Sequence, residues 1–316
     1  MSQLLDGQAD SGLAAPRPFR VPVAGGELAG GEWGPSAQEA PEAPVVLAVH
    51  GITASHRCWP LLPPLLPGVR VIAPDLRGRG RSGGLPGPYG LASHAADMVA
   101  LLDALGVAQA HVVGHSMGGF VSVALAGTAA SRVSSLTLVD GGLPLALPDG
   151  VAAPGADATP EDVLGPAAAR LSMTFPDREA YRDFWRAHPA FGDWTPVVEG
   201  YVDYDLEGTE PHLRTSTNGT AVATDGAQLF GGDAYDAWLA SIAVPTTFLR
   251  APRGLLDEPR ALYAPGYAET FSDRVAAAHG GLRVVEVEDV NHYTIVMAED
   301  GARRVAEEVL PAVRSR

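Results

Sequence analysis

The segment at residues 110–126 constrains the fold more than any other part of the chain. It reads Ala-His-Val-Val-Gly-His-Ser-Met-Gly-Gly-Phe-Val-Ser-Val-Ala-Leu-Ala, two apolar runs separated by a serine with glycines nearby on both sides. The first run suits a buried strand and the second a helix, so the segment predicts a strand, a sharp turn at Ser116 and a helix. Such a turn holds the serine hydroxyl above the end of a sheet.

Further apolar runs alternate with helical patterns before and after this segment. Strands are predicted at residues 45–49, 69–73, 136–139, 244–249 and 282–287, an edge hairpin at 20–33, and helices near 92–105, 267–279 and from 298 onward. The strands are apolar throughout instead of alternating, which indicates burial on both faces. The predicted fold class is therefore α/β, with a mostly parallel, doubly wound sheet.

Residues 141–240 interrupt this alternation. They are rich in proline and glycine, hold three of the five tryptophans, and carry 16 Asp and Glu against 5 Arg. We predict a mostly helical cap or lid, inserted after the strand that ends near Asp140, with residues 17–140 and 241–316 forming the core. Residues 1–16 have no hydrophobic period and are predicted to be a disordered tail.

Composition excludes several function classes. All 22 basic residues are arginine, so enzymes that need a lysine, such as Schiff-base enzymes, P-loop ATPases and protein kinases, are excluded. The net charge of −15 argues against a nucleic-acid partner. With one cysteine, Cys58, no apolar run of roughly 20 residues and no recognisable signal segment, we expect a cytoplasmic protein with no membrane partner.

Four motifs give a family resemblance. In order they are His50-Gly51, the loop Asp75-Leu76-Arg77-Gly78-Arg79-Gly80-Arg81-Ser82, the turn at residues 114–119, and Asn291-His292. With them the chain resembles an α/β-hydrolase with a helical cap, of the esterase and lactonase-like type, over residues 45–295. The match of residues 78–83 to a dinucleotide-binding Gly-x-Gly-x-x-Gly is rejected, because Leu85-Pro86-Gly87-Pro88 follows where that motif needs a helix.

The resemblance implies a catalytic triad. Ser116 is the candidate nucleophile, and His292, which follows the last strand, is the candidate base that would activate it. For the carboxylate that orients the histidine we favour Asp257, beyond the penultimate strand, although the compact acid turn typical of the family is absent there. Asp140 is the alternative and Glu258 the third candidate.

Other residues are assigned around this triad. The backbone N–H groups of Met117 and Ile52, with Thr53 next, are expected to form the oxyanion hole. Trp59 and Trp185 are candidate substrate-binding residues, although Trp185 also fits the core of the cap. His50 is expected to shape its turn by hydrogen bonding. His115 is expected to point away from the site, into the packing of strand against helix.

The expected activity is cleavage of an uncharged, fairly apolar carboxylic ester or lactone through an acyl-enzyme, with no cofactor and no metal. The same triad also suits a carbon–carbon bond hydrolase, a perhydrolase or an acyltransferase. A non-catalytic receptor for a small ligand on the same fold is the alternative from another class. In each case the partner is a small molecule.

Overall fold

The computed structural model describes residues 13–146 and 165–314. Within them the chain forms an eight-stranded sheet. The fully apolar runs noted in the sequence form its central strands, which are buried along their whole length. The strands are β1 (Arg17–Val23), β2 (Gly26–Trp33), β3 (Val45–Val49), β4 (Arg70–Pro74), β5 (Ala110–His115), β6 (Val133–Val139), β9 (Thr246–Arg250) and β10 (Arg283–Glu286). Two further strands, β7 (Leu206–Thr209) and β8 (His212–Thr215), lie outside this sheet.

The strand order is β1-β2-β4-β3-β5-β6-β9-β10. Strand β2 pairs antiparallel with β1 and β4, and the strands from β4 to β10 pair in parallel. His115 at the end of β5 lies opposite Val139 at the end of β6, which lies opposite Leu249 in β9. The carboxyl ends of these three strands therefore meet at one edge of the sheet, and Ser116 and Asp140 are the residues that follow.

Helices cover both faces, as the apolar strands predict. One face packs on α1 (Leu91–Ala104), α2 (Met117–Thr128) and α6 (Asp233–Ala240), and the other on α8 (Glu299–Arg314), which follows the short α7 (Thr294–Met297). The predicted α/β class and doubly wound sheet are confirmed. No helix in residues 13–146 or 165–314 has the length and apolar content to cross a bilayer.

We call residues 141–240, between β6 and β9, the cap insertion. Its described part contains α3 (Arg178–Arg186), α4 (Pro196–Asp205), α5 (Gly219–Gly226) and α6, together with a 3-10 segment, Gly165–Ser172. It also contains an antiparallel hairpin, β7 (Leu206–Thr209) and β8 (His212–Thr215), which the sequence analysis did not predict. Each of these strands has four residues, too few for a visible alternation.

Two further predictions need correction. The helix predicted near residues 267–279 is replaced by two 3-10 turns, and Ala276 has a φ of 53°, which breaks the right-handed helical path. Most of the predicted disordered tail, residues 1–12, lies outside the described residues. Within its last four residues the carbonyl oxygen of Ala14 accepts a hydrogen bond from the Trp33 indole at 3.0 Å, so that part is attached to the sheet.

Candidate active site

Ser116 occupies the turn between β5 and α2 with a φ of 55° and a ψ of −127°. This left-handed conformation is unusual for a residue with a side chain, and it reverses the chain sharply so that the hydroxyl stands clear of the sheet. The Ser116 N–H donates to the Val139 carbonyl at 2.9 Å, which fixes the turn to β6. Ser116 is half-buried while the residues on either side of it are buried. The predicted strand, turn and helix are all present.

Glycines make this turn possible because the backbone is crowded around it. A Cβ on Gly118 would lie 2.1 Å from the Val49 carbonyl oxygen, and a Cβ on Gly141 would lie 2.0 Å from that of Ser116. Both distances are shorter than any real contact, so no other residue fits without a backbone shift. The Gly-x-Ser-x-Gly pattern is thus explained in part by packing between β3, β6 and the first turn of α2.

His292 lies in the loop after β10 and is 4% exposed. Its Nδ1 donates to Oδ2 of Asp140 at 2.7 Å. The Asp140 side chain is completely buried, and its Oδ1 accepts the Ala251 N–H at 3.1 Å. Because a carboxylate only accepts, Nδ1 carries the proton and Nε2 is left with the lone pair that a base requires.

Asp257, the acid favoured from the sequence, is not the carboxylate that contacts the His292 ring. The Asp257 side chain is 40% exposed and accepts hydrogen bonds from Arg253 at 2.6 Å and from the Asn291 amide at 3.0 Å. These two donors lower the pKa of Asp257, the Asn291 contact more strongly. Asp257 thus supports the loop that carries His292 by binding Asn291, the residue before His292.

The third candidate acid is also directed elsewhere. Glu258 accepts the Leu256 N–H at 2.7 Å, within its own turn. Of the three acids considered, only Asp140 contacts the His292 ring. The alternative named in the sequence analysis is therefore the one that the structure places beside the histidine.

The loop after β3 lies against Ser116, as expected of the oxyanion loop. A Cβ built on Gly51, the residue before Ile52, would be 3.4 Å from the Ser116 hydroxyl oxygen. Met117 is the first residue of α2, where N–H groups have no partner within the helix. His50 forms the expected turn: its Nδ1 donates to the Gly51 carbonyl at 2.7 Å and its Nε2 accepts the Leu76 N–H at 2.9 Å.

Arg79 is a residue of this site that the sequence analysis missed. Its completely buried side chain donates from Nε to the Ile52 carbonyl at 2.8 Å and reaches the Met117 sulfur at 3.9 Å. The charge partner of Arg79 is Asp225 from α5. An arginine between two glycines, directly after a strand end, was the available signal, because a long charged side chain there needs an interior partner.

His115 does not point away from the site, contrary to expectation. Its Nε2 donates to the His292 carbonyl at 2.7 Å, and the two rings lie 4.8 Å apart between centroids. Burial, assisted by the neighbouring His292, holds the pKa of His115 well below its ordinary value. A neutral His115 therefore supports the backbone of the candidate base.

The two candidate substrate-binding tryptophans differ in position. Trp59 is 1% exposed, and its ring lies edge-on to His115 with 6.5 Å between centroids. Trp185 lies in an aromatic cluster of the cap insertion, where the Arg170 guanidinium sits 5.0 Å from its ring centre. It also contacts Tyr293, the residue after His292, at 6.4 Å. Trp59 thus flanks the strand edge, and Trp185 belongs to cap packing that reaches it.

In the described stretches, no group of three or more His, Cys, Asp or Glu residues is arranged to hold a metal ion. Two histidines of β5, His111 and His115, make other contacts. His111 hydrogen-bonds Ser135 at 2.9 Å, and His115 supports the His292 loop.

Comparisons with known proteins agree with this architecture. The sequence model of the alpha/beta hydrolase fold matches residues 44–194. The lipase LipV of Mycobacterium tuberculosis is 30% identical over 209 residues, which cover 66% of this chain and 74% of that protein. "Putative carbamate hydrolase RutD" of Azorhizobium caulinodans is 49% identical over 72 residues, but these cover only 23% of this chain and 27% of that protein.

A similar fold occurs among solved structures. The thioesterase domain from the curacin biosynthetic pathway has a TM-score of 0.70 and 23% identity, over 94% of this chain and 100% of that one. At this identity the likeness concerns the fold alone. The sequence matches go further, and with them the chain belongs to the alpha/beta hydrolase family and is an enzyme of the hydrolase class.

Proposed function

We propose that the protein is a cofactor-independent serine hydrolase that cleaves an uncharged, fairly apolar carboxylic ester or lactone through an acyl-enzyme. The observation that carries the proposal is the pairing of two features at one sheet edge. Ser116 adopts the left-handed turn conformation, and His292 contacts the buried Asp140 at 2.7 Å through the ring nitrogen that a base does not use.

In the first half-reaction, His292 Nε2 takes the proton of the Ser116 hydroxyl as its oxygen adds to the substrate carbonyl carbon. The carbonyl oxygen becomes an oxyanion, which the N–H groups of Ile52 and Met117 stabilise. Collapse breaks the bond to the alcohol oxygen, and His292 gives that oxygen its proton. The acyl group is then an ester of Ser116, and Asp140 stabilises the transiently charged imidazole.

In the second half-reaction a water molecule takes the place of the alcohol. His292 removes one of its protons while the water oxygen adds to the acyl carbon, and collapse releases the carboxylic acid and regenerates the Ser116 hydroxyl. With a lactone the alcohol stays attached to the acyl chain, so the product is a hydroxy acid. We also propose that the cap insertion acts as the lid that limits water access during the cycle.

The preference for an uncharged, apolar substrate is supported by the surroundings. Aromatic rings approach the histidine loop from the cap insertion, where Trp185 and Phe191 contact Tyr293. The nearby cations Arg79 and Arg170 already have carboxylate partners. A substrate carboxylate or phosphate would therefore compete with existing ion pairs, whereas an apolar acyl group gains from burial.

An active-site label tests the nucleophile. The protein is incubated with a fluorophosphonate probe, and the labelled residue is identified by peptide mass spectrometry. We expect modification of Ser116, none in Ser116→Ala, and full labelling of Ser122→Ala, which alters a buried serine in α2, the helix that follows Ser116. Absence of labelling in the folded wild-type protein contradicts the proposal.

The type of bond is tested with substrates. Nitrophenyl esters of increasing acyl length should be hydrolysed, with a burst of nitrophenol equal to one enzyme equivalent when deacylation is slow. Little turnover of esters, together with cleavage of a diketone, would instead favour the carbon–carbon hydrolase. Product partition in the presence of hydrogen peroxide or an added alcohol distinguishes the perhydrolase and acyltransferase alternatives.

A further inference from the structure

A buried ion pair joins the cap insertion to the core beside Met117, the residue after the candidate nucleophile. Arg79 belongs to the loop after β4 and Asp225 to α5, and both side chains are completely buried. The Asp225 carboxylate also accepts the Gly90 N–H at 2.6 Å and hydrogen-bonds His94 Nε2 at 2.9 Å. One carboxylate of the cap insertion is thus held by three groups of the core.

The charge of Asp225 is retained in spite of burial. Burial alone would raise the pKa, but the positive charge of Arg79, with the contribution of His94, outweighs this and lowers the pKa of Asp225 to about 2. Both members of the pair are therefore charged at neutral pH. Loss of either charge would leave the other unpaired in the interior, which is far costlier than loss of an exposed pair.

Arg79 also contacts the two residues whose N–H groups are the expected oxyanion donors. Its Nε donates to the Ile52 carbonyl at 2.8 Å, and Nη2 lies 3.9 Å from the Met117 sulfur. Nη1, which meets Asp225, also donates to the Arg77 carbonyl at 3.0 Å. The Ile52 carbonyl belongs to the Ile52–Thr53 peptide, so the guanidinium fixes that peptide directly and the adjoining Ile52 N–H through it. Asp225 and the Arg77 carbonyl together fix Nη1.

We propose that Asp225 is a positioning residue for catalysis, which acts from the cap insertion through Arg79 to set the orientation of Ile52 in the oxyanion hole. The proposal rests on the function proposed above. Oxyanion stabilisation requires an N–H aimed at the developing charge, and loss of one donor costs about 10²–10³ in turnover. A shift of the Ile52–Thr53 peptide turns the adjoining Ile52 N–H and therefore reduces kcat, while substrate binding by the rest of the pocket continues.

The proposal changes the role of the cap insertion. If the insertion only covered the site, its displacement would alter access and substrate preference. Because Asp225 is connected to Ile52 through Arg79, displacement of the insertion also loosens the oxyanion hole. Closure of the lid and completion of the catalytic machinery are then the same event.

Three variants test this, with nitrophenyl ester turnover as the assay. Asp225→Asn removes the charge that holds Arg79. Arg79→Lys keeps an ion pair with Asp225 but loses the Nε donor to Ile52, so it separates positioning from stability. Asp97→Asn is the matched control, because Asp97 is a buried carboxylate that pairs with Arg77 of the same loop at 2.7 Å without contacting Ile52.

We expect Asp225→Asn and Arg79→Lys to lower kcat at least about tenfold with KM changed less than about twofold. The inhibition constant of a trifluoromethyl ketone, whose adduct places an oxyanion in the hole, should rise in parallel with the loss of kcat/KM. Asp97→Asn should lower Tm but leave both quantities within about twofold of wild type. The parallel rise in the inhibition constant is a result that general destabilisation does not give.

The result that overturns the proposal is wild-type kcat in folded Arg79→Lys, or equal kinetic effects of Asp225→Asn and Asp97→Asn. Should Asp225→Asn fail to fold, Arg79→Lys alone decides. Fluorophosphonate labelling of the wild-type protein accompanies each assay. If the wild type is labelled while the variants match the control, only this proposal fails, and if the wild type is not labelled, the proposed function fails.

Discussion

Replacement of Asp140 by asparagine is the sharpest test of the triad. Both groups that face the Asp140 carboxylate are donors: His292 Nδ1 at 2.7 Å and the Ala251 N–H at 3.1 Å. An asparagine has only one acceptor oxygen for these two donors. The Ala251 N–H cannot change its role, so it keeps the oxygen, and the amide NH2 then faces His292.

This arrangement forces the wrong tautomer on the histidine. Nδ1 must accept from the amide, the proton moves to Nε2, and Nε2 has no lone pair to receive the proton of Ser116. An aspartate-to-asparagine change that leaves geometry intact but reverses the tautomer lowers kcat by about 10³–10⁴, equivalent to about 4–5 kcal/mol in the activation barrier. We expect a loss of this size with little change in Tm, because the side chains are nearly isosteric.

The matched control is Asp257→Asn. Asp257 is part-exposed and meets Arg253 and Asn291 instead of the ring, so its loss should reduce kcat less than about tenfold. Initial rates on a nitrophenyl ester, measured from pH 6 to 9 with Tm recorded in parallel, compare the two variants. A larger loss in Asp257→Asn than in Asp140→Asn would refute the reasoning and return the role to Asp257.

Two further predictions concern stability. Gly141→Ala places a methyl group 2.0 Å from the Ser116 carbonyl oxygen and should lower the free energy of unfolding in urea by about 3 kcal/mol. Gly84→Ala, whose methyl group meets nothing within 4 Å, should lower it by less than about 0.5 kcal/mol, and similar losses in the two variants would disprove the crowding argument. Burial lowers the pKa of His50 from 6.5 to about 4, so the stability that depends on neutral His50 is complete above pH 6.5 and is lost as the pH falls toward 4. Between pH 7 and 5 this loss should be about 2 kcal/mol, and His50→Gln should show a correspondingly flatter dependence; an unchanged slope would contradict the assignment.

The central fold could be predicted because its signals are local. A strand buried on both faces must be apolar throughout, and the predicted run at residues 45–49 matches β3 residue for residue. The Ser116 turn was likewise visible, because the glycines that its crowded backbone requires lie within a few positions of it. Prediction succeeded where the physical constraint and the residues that satisfy it are close in sequence.

The acid of the candidate triad could not be chosen on the same basis. Asp140 and Asp257 both follow strand ends on the correct side of the sheet, and the choice depends on where the loop that carries His292, 152 residues after Asp140, places the ring. His115 was misassigned for a related reason. Its neighbour Ser116 breaks the strand geometry with a φ of 55°, so the alternation of faces that applies inside β5 does not extend to the site.

The position of Asp140 also explains how the candidate site can stay ordered although a long insertion begins beside it. Three consecutive residues serve the site: the Val139 carbonyl accepts the Ser116 N–H, Asp140 contacts His292, and Gly141 packs on the Ser116 carbonyl. The cap insertion begins immediately after Asp140, so movement at its start would be transmitted to the candidate triad.

The carbonyls of residues 142, 143 and 144 each accept a tyrosine hydroxyl at 2.7 Å, from Tyr235, Tyr263 and Tyr267. Two of these tyrosines follow the insertion in the core, so the residues directly after Asp140 are fixed to the core. A rearrangement elsewhere in the insertion therefore need not disturb Asp140, while Asp225, near the far end of the insertion, couples the position of α5 to Arg79 and so to Ile52.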